Sequence, residues 1–430
     1  MNRINRSTMG CALAMALDGA QLTWVRKLAE RHQHQLDQLE RMLSAGDCRA
    51  DALTRSILRS FSGRLSAVIR SARSTSEGRY ESLEVMKVRA GLLNPYRRID
   101  EVIRQVAVDN PGGPARLVLN FAPARRALQT LCADILDVWL PPCDFDFLRR
   151  GRGADAQMLR VKEMIEKEGY DHVVAVDIRS CFRSVNHDKL VQLLPLPHHV
   201  TRNVLLVQDG DTVEQPPEWK EELFGFPLDI YDHFTFETDT AARQGLPQGS
   251  LTSTLIMSRA VLGPLVSATG IAHRSVIYGD DITVCAKGLG QARESFKALS
   301  SALENSLAGP LTIGRHHVGP ISEGVNIVKY GFRRKPAHYG GGIRIHPSKR
   351  SYDHFSARAR QKFLDGDPAL GKGRVSKYRK AWPASFPLWH TPPSTKVYPP
   401  SRCGRKYVGA AAVAKATFTI GSNRSFLNVG

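Results

Sequence analysis

Residues 274–287, RSVIYGDDITVCAK, place two adjacent aspartates, Asp280 and Asp281, between two runs of β-prone residues. The pattern predicts a strand, a tight turn carrying both aspartates, and a second strand. Turns favour Asp in general, because its side chain bonds to nearby backbone. Two like charges side by side at a hairpin tip nevertheless repel unless a cation lies between them. This pair therefore asks for a sheet edge where further acids or cations gather.

A third acid answers from far upstream. The stretch HVVAVDI, 172–178, reads as a buried strand that closes on Asp177. A strand-end aspartate and a turn pair on a neighbouring strand can meet at one sheet edge, where oxygen donors suit hard divalent cations. Two such ions held about 3.5–4 Å apart activate an attacking hydroxyl and stabilise the leaving oxygen in phosphoryl transfer.

The rest of the chain points to a polyanionic partner. Its 430 residues carry a formal net charge of +19, which favours nucleic acid over a membrane surface. The charge is uneven. Residues 331–430 hold 20 Lys/Arg against 3 Asp/Glu, whereas residues 208–240 hold 10 Asp/Glu against one Lys. A basic tail and an acidic insertion imply one face for nucleic acid and one turned from it. Seven scattered cysteines without a C-x-x-C pair exclude a zinc finger or disulfide framework and fit a reducing, cytoplasmic setting. No apolar run reaches the length of a membrane span, and the weakly signal-like start is read as an ordinary first helix.

Helical periodicity at Val25, Leu28, Leu36, Leu39 and Leu43, then in ALTRSILRSFSGRLSAVIRSA, makes 1–90 a helical extension. ARLVLNFAP (115–123) reads as a strand after the turn NPGGP, and ARRALQTLCADILDVWL as a helix. SLTSTLIMSRAVLGPLV reads as a helix entered from a glycine-containing turn, and residues 310–345 as short strands and turns. No internal repeat is evident.

Taken in order, AVDIRSCF (175–182), RQGLPQGSLTSTLIMS (243–258) and YGDD (278–281) resemble the palm motifs of reverse transcriptases. ARLVLNFAPARRALQ and FDFLRRGRGADAQ are similar to fingers motifs of bacterial members. VKYGF (328–332) is similar to a primer-grip turn, and GGIRIHPS to the start of a thumb in group II intron-like enzymes. The resemblance spans about residues 90–350. Three palm motifs in order carry far more weight than any one.

The resemblance implies an α+β right-hand polymerase. Its parts would be a helical extension at 1–90, fingers at 91–170, and a palm at 171–335 with the acidic insertion near 208–240. A basic thumb and tail would follow at 336–430. It implies an RNA-directed DNA polymerase that uses two Mg²⁺ ions, with Mn²⁺ as a substitute, held by Asp177, Asp280, Asp281 and the carbonyl of Ile178. Phe182 would lie under the incoming sugar and leave no room for a 2′-OH. Gln248 and Gly249 would meet the nucleotide and templating base, Arg116 the triphosphate, and Tyr278 the primer end. Nucleic-acid contacts would come from Arg333, Arg334, Lys335, Arg344, Lys349, Arg350, Lys377 and Arg379, interleaved with aromatics suited to stacking.

Gly-Asp-Asp is also typical of RNA-dependent RNA polymerases. Those usually carry an acid where this chain has Phe182, and lack its Pro-Gln-Gly-Ser. The chain departs from many bacterial members too: Thr254 follows Ser253, and Ser258 stands where Asn is usual. In place of a downstream lysine it has Arg315, His316 and His317, whose role stays open. Lacking HNH, RNase H and retron-type marks, it most resembles the unknown-group/abortive-infection reverse transcriptases. That subgroup implies anti-phage defence with a structured non-coding RNA as template or scaffold, dNTPs and a DNA product. A homo-oligomer or second protein is left open. The alternatives are a mobile-element enzyme of retron or intron type, and a non-catalytic RNA-binding scaffold.

Overall fold

A computed structural model describes residues 3–13, 15, 17–72, 82–108, 116–148, 151–214, 242–334, 342–364 and 368–389. The chain divides into two units, Met1–Leu388 and Trp389–Gly430. All described residues except Trp389 belong to the first. The NPGGP turn, Lys335 and most of the acidic insertion lie outside the described residues.

Helices α1 (Arg3–Leu13), α2 (Gly19–Ser44), α3 (Ala50–Arg59), α4 (Phe61–Ala72) and α5 (Leu83–Leu92) open the chain. A capping box starts α2. The Asp18 carboxylate accepts from Gln21 N–H at 2.7 Å, and Gln21 Oε1 accepts from Asp18 N–H at 3.2 Å. Val25, Leu28, Leu36 and Leu39 are buried as the periodicity predicts, and Leu43 is half-buried. Leu39, Ile57, Leu58, Leu65 and Ile69 are fully enclosed, each worth about 1.5–3 kcal/mol of burial.

Of these, α2, α3 and α4 pack onto α6 (Pro123–Trp139). The joint is a buried polar knot: Asp134 on α6 receives His32 Nε2 at 3.0 Å and both terminal nitrogens of Arg70. Burial alone would raise the Asp134 carboxyl, but Arg70 and His32 together hold it below its ordinary value. The first turn of α6 is satisfied from a distance, since Glu101 accepts from Ala124 and Arg125 N–H, each at 3.0 Å.

Strands β1 (Ile103–Val108) and β2 (Arg116–Asn120) pair antiparallel, and β4 (Val213–Glu214) joins β1 in parallel. The start of the acidic insertion is anchored beside this sheet. Asp211 is buried and receives Arg125 at 3.0 Å, and Arg243 bonds its carbonyl at 3.0 Å. Asp211 is therefore an internal partner and not one more charge on a surface turned from nucleic acid.

The central sheet runs β5 (Ser275–Tyr278), β6 (Asp281–Ala286), β3 (His172–Arg179), β7 (Thr312–Pro320), antiparallel throughout. β3 has a partner on both sides, and Val173, Val174, Val176 and Ile178 are all buried, which accounts for its continuous apolar run. The helix Gly288–Glu304 packs on β3, β6 and β7, and α7 (Ala154–Lys167) on β5 and β6. A last sheet, β10 (Ile343–Pro347), β9 (Tyr330–Arg334), β8 (Val325–Ile327), precedes helices Lys349–Leu364 and Pro368–Ala381. Lys329, in the turn between β8 and β9, reaches Asp155 at 3.0 Å and the Ser385 carbonyl at 2.8 Å, tying that sheet to α7 and to the short helix Trp382–Ser385. Six described cysteines are free thiols. Among the described residues no helix is long and apolar enough to cross a membrane.

Candidate active site

The hairpin turn has two central residues, Gly279 and Asp280, because Tyr278 pairs with Asp281. Gly279 has φ +67 and Asp280 has no positive φ, the pattern of a II′ turn, whose twist matches the strands it joins. Asp280 therefore sits on the turn and Asp281 opens β6. Asp281 pairs in register with Asp177 on β3, and Ile178 N–H reaches the Asp280 carbonyl at 3.3 Å. Asp177 thus shares one end of the sheet with an acid pair more than a hundred residues away in sequence.

Their electrostatics are strained. Burial, then the charges of Asp280 and Asp177, push the Asp281 carboxyl up to about 7, against the pull of Arg350 and Arg315. Cys181, just past β3, is raised by burial and by Asp280 and Asp177. Asp177 has found a partner: Arg315 on β7 donates from Nε and Nη2 to its Oδ2 at 3.0 and 2.9 Å. Among the described residues, no three His, Cys, Asp or Glu side chains are drawn close enough to ligate one ion. With Asp177 turned to Arg315, the edge holds the acids as neighbours and not as a closed cage.

The Leu-Pro-Gln-Gly loop is wedged beside this edge. Leu246 N–H donates to the Phe182 carbonyl at 2.8 Å, and Leu119 N–H on β2 donates to the Gln248 carbonyl at 2.7 Å. A Cβ at Gly245 would come 2.1 Å from the Phe182 carbonyl, and one at Gly249 2.2 Å from the Leu119 carbonyl. Glycine at both positions is the condition for that approach. Ser180, with φ +48, bends the chain between β3 and Phe182, a conformation costing about 1–3 kcal/mol outside glycine. Phe182 is half-buried against the core. Past the loop, the helical stretch from Ser253 to Ala268 widens into a π-helical segment at Met257–Leu262. Arg259 anchors it to α6 through Asp137 at 2.5 Å and the Leu140 carbonyl at 3.0 Å.

The other predicted residues fall as follows. Tyr278 ends β5, half-buried. Arg116 opens β2 opposite Val108, and its side chain is outside the described residues. Arg333 and Arg344 face each other across β9 and β10, and they and Arg334, Lys349, Arg350, Lys377 and Arg379 are exposed. Asp281 and Arg350 both line a cavity of about 480 Å³ shared with Lys329, Arg358, Tyr378 and Trp382. His316 packs against Phe296 in a tilted arrangement with ring centroids 4.7 Å apart, and burial lowers His317. Alternation along β7 puts Arg315, not His316, on the acids' side. The sequence showed Arg315 only as one of three basic residues, because nothing local fixes the register of β7.

Residues 108–308, a little under half of the chain, match the family model described as reverse transcriptase (RNA-dependent DNA polymerase). The matched span takes in β2, the Leu-Pro-Gln-Gly loop and all three acids. It supports a reverse transcriptase with a palm-type polymerase fold, and with it RNA-directed DNA polymerase activity in general. A search of curated proteins found no match.

Proposed function

We propose that this chain adds dNTPs to a 3′ end on an RNA template, with Asp177, Asp280 and Asp281 as the catalytic acids. The observation that carries the reading is the in-register pairing of Asp177 with Asp281 beside a turn that holds Asp280. The donor set suits Mg²⁺: every donor is a hard oxygen, and one carboxyl is pushed up by burial and by its two acidic neighbours. Asp177, the Ile178 carbonyl, Asp280 and Asp281 would hold two ions. When bound, these would lower the pKa of the attacking hydroxyl and offset charge on the phosphates.

The remaining residues bind and orient. Phe182, fixed through its carbonyl to Leu246, would form the floor against which a 2′-OH cannot fit. Gln248 and Gly249 would place the nucleotide against the template, Arg116 would pair its triphosphate, and Tyr278 would support the primer end. The exposed cations of β9, β10 and the helices after them would follow a nucleic-acid backbone, with affinity that falls steeply with salt. Within this reading the RNA is a structured non-coding template and the setting is cytoplasmic anti-phage defence, as the motif resemblance implies.

The test is to purify the protein with its bound RNA, supply Mg²⁺ and labelled dNTPs, and compare Asp280→Asn. The variant should lose incorporation by about 10²–10³-fold or more; equal incorporation in both proteins would refute the polymerase. Sequencing product and copurified RNA identifies template and primer together. Phe182→Ala should keep dNTP use and relax discrimination against NTPs by about ten- to hundredfold.

A further inference from the structure

The contact between Arg315 and Asp177 is built by an irregularity in the sheet. Along β3 and β7 the register pairs Asp177 with Arg315 but Ile178 with Ile313, leaving Gly314 as an extra residue. A bulge of this kind bends the strand and re-aims the side chain beside it. Gly314 suits the place, since a Cβ there would lie 3.2–3.3 Å from Arg179. The re-aimed guanidinium puts two hydrogen bonds on one oxygen, Oδ2 of Asp177.

This pair is poorly suited to holding the fold together. The Arg315 side chain is 70 % exposed and that of Asp177 28 %, and ion pairs open to water contribute little. Arg315 also sits where it lowers Asp281. It thus supplies positive charge to an edge with three acids, through a contact that is cheap to break.

We infer that Arg315 is a positioning residue that occupies Asp177 until a divalent cation takes its place, so that guanidinium and cation compete for the same carboxylate. The inference rests on the metal-dependent reading above and goes beyond it. On ion binding, Asp177 turns from β7 toward Asp281 and Arg315 is released to solvent. The exchange keeps the edge partly neutralised in the absence of metal and sets a threshold ion concentration for assembling the site.

The test measures Mn²⁺ binding by full-length protein, from the free-ion paramagnetic signal, in wild type, Arg315→Gln, Arg350→Gln and Asp177→Asn. Arg350→Gln removes a charge near Asp281 without breaking the pair to Asp177. Competition predicts about fivefold tighter binding for Arg315→Gln, the size of a well-formed exposed pair, and less than about twofold for Arg350→Gln. In a second readout, the Arg315 Nε–H resonance, assigned by its loss in Arg315→Gln, should shift when Mg²⁺ is added to wild type and stay still in Asp177→Asn. Equal affinity in wild type and Arg315→Gln, equal tightening in both arginine variants, or an Nε–H signal blind to Mg²⁺ would overturn the exchange alone, provided Asp177→Asn weakens binding. No ion binding by wild type or Arg315→Gln would overturn both the exchange and the metal-dependent reading.

Discussion

Two carboxylate centres in this chain use the same chemistry in opposite proportion. At the joint of α2, α4 and α6, one acid, Asp134, is enclosed by Arg70 and His32. At the sheet edge, three acids share the influence of two arginines, and one of those arginines is mostly in water. The first centre lowers its carboxyl and the second raises one to about 7. A protein that needs an acid only for cohesion surrounds it with its own cations. Under the proposed function, the second centre draws its balancing charge from a cation outside the chain.

Breaking the first centre should have the largest effect. Asp134→Ala leaves Arg70 and His32 buried without their partner and should cost about 3–5 kcal/mol in urea unfolding. Asp281→Asn, which relieves a repelled charge, should leave metal-free stability unchanged or higher. A matching loss in the two variants would erase the distinction.

Acidity should separate the centres next, by direction. The Asp134 carboxyl is lowered on folding, so its stabilisation is present above the unfolded value of 3.8 and is lost as pH falls through the lower folded value. Asp281 is raised, so its contribution is present below 3.8 and is lost as pH rises toward about 7. Urea unfolding without divalent ions, from pH 4 to 8, should show a decline that Asp281→Asn removes and Asp134→Asn retains.

The smallest effect sharpens the second centre alone. Mg²⁺ binding must displace the proton on Asp281, so affinity should drop about tenfold for each pH unit below about 7. Calorimetric titration at pH 6 and 8 checks this, and Asp281→Asn should bind weakly at both.

Much of this contrast was legible in the order of residues, for stated reasons. The run from Val173 to Ile178 read as a buried strand, and the paired aspartates as a hairpin turn, of which only Asp280 proved to be a turn residue. The apolar spacing of Val25, Leu28, Leu36 and Leu39 marked the helix that became α2, but not the Asp18 cap that starts it. What could not be read was pairing at a distance. His32 lies 102 residues from Asp134, and both belong to helices whose apolar stripes say nothing of a polar contact. Asp211 counted as one acid among ten in an acidic run, yet it is internal because Arg125, 86 residues away, reaches it. Arg315 depended on a one-residue slip at Gly314, and a slip in register leaves no mark on composition.

The close approach of Gly249 to β2 limits what directed evolution can alter here. Its Cβ position is filled by the Leu119 carbonyl, so a saturation library at 249 should return only glycine among folded clones. At 248 the backbone carbonyl makes the contact to β2, so selection for folding alone should accept many side chains. If Gln248 meets the nucleotide as proposed, substrate preference can be retuned at 248, while its neighbour stays closed to every alternative.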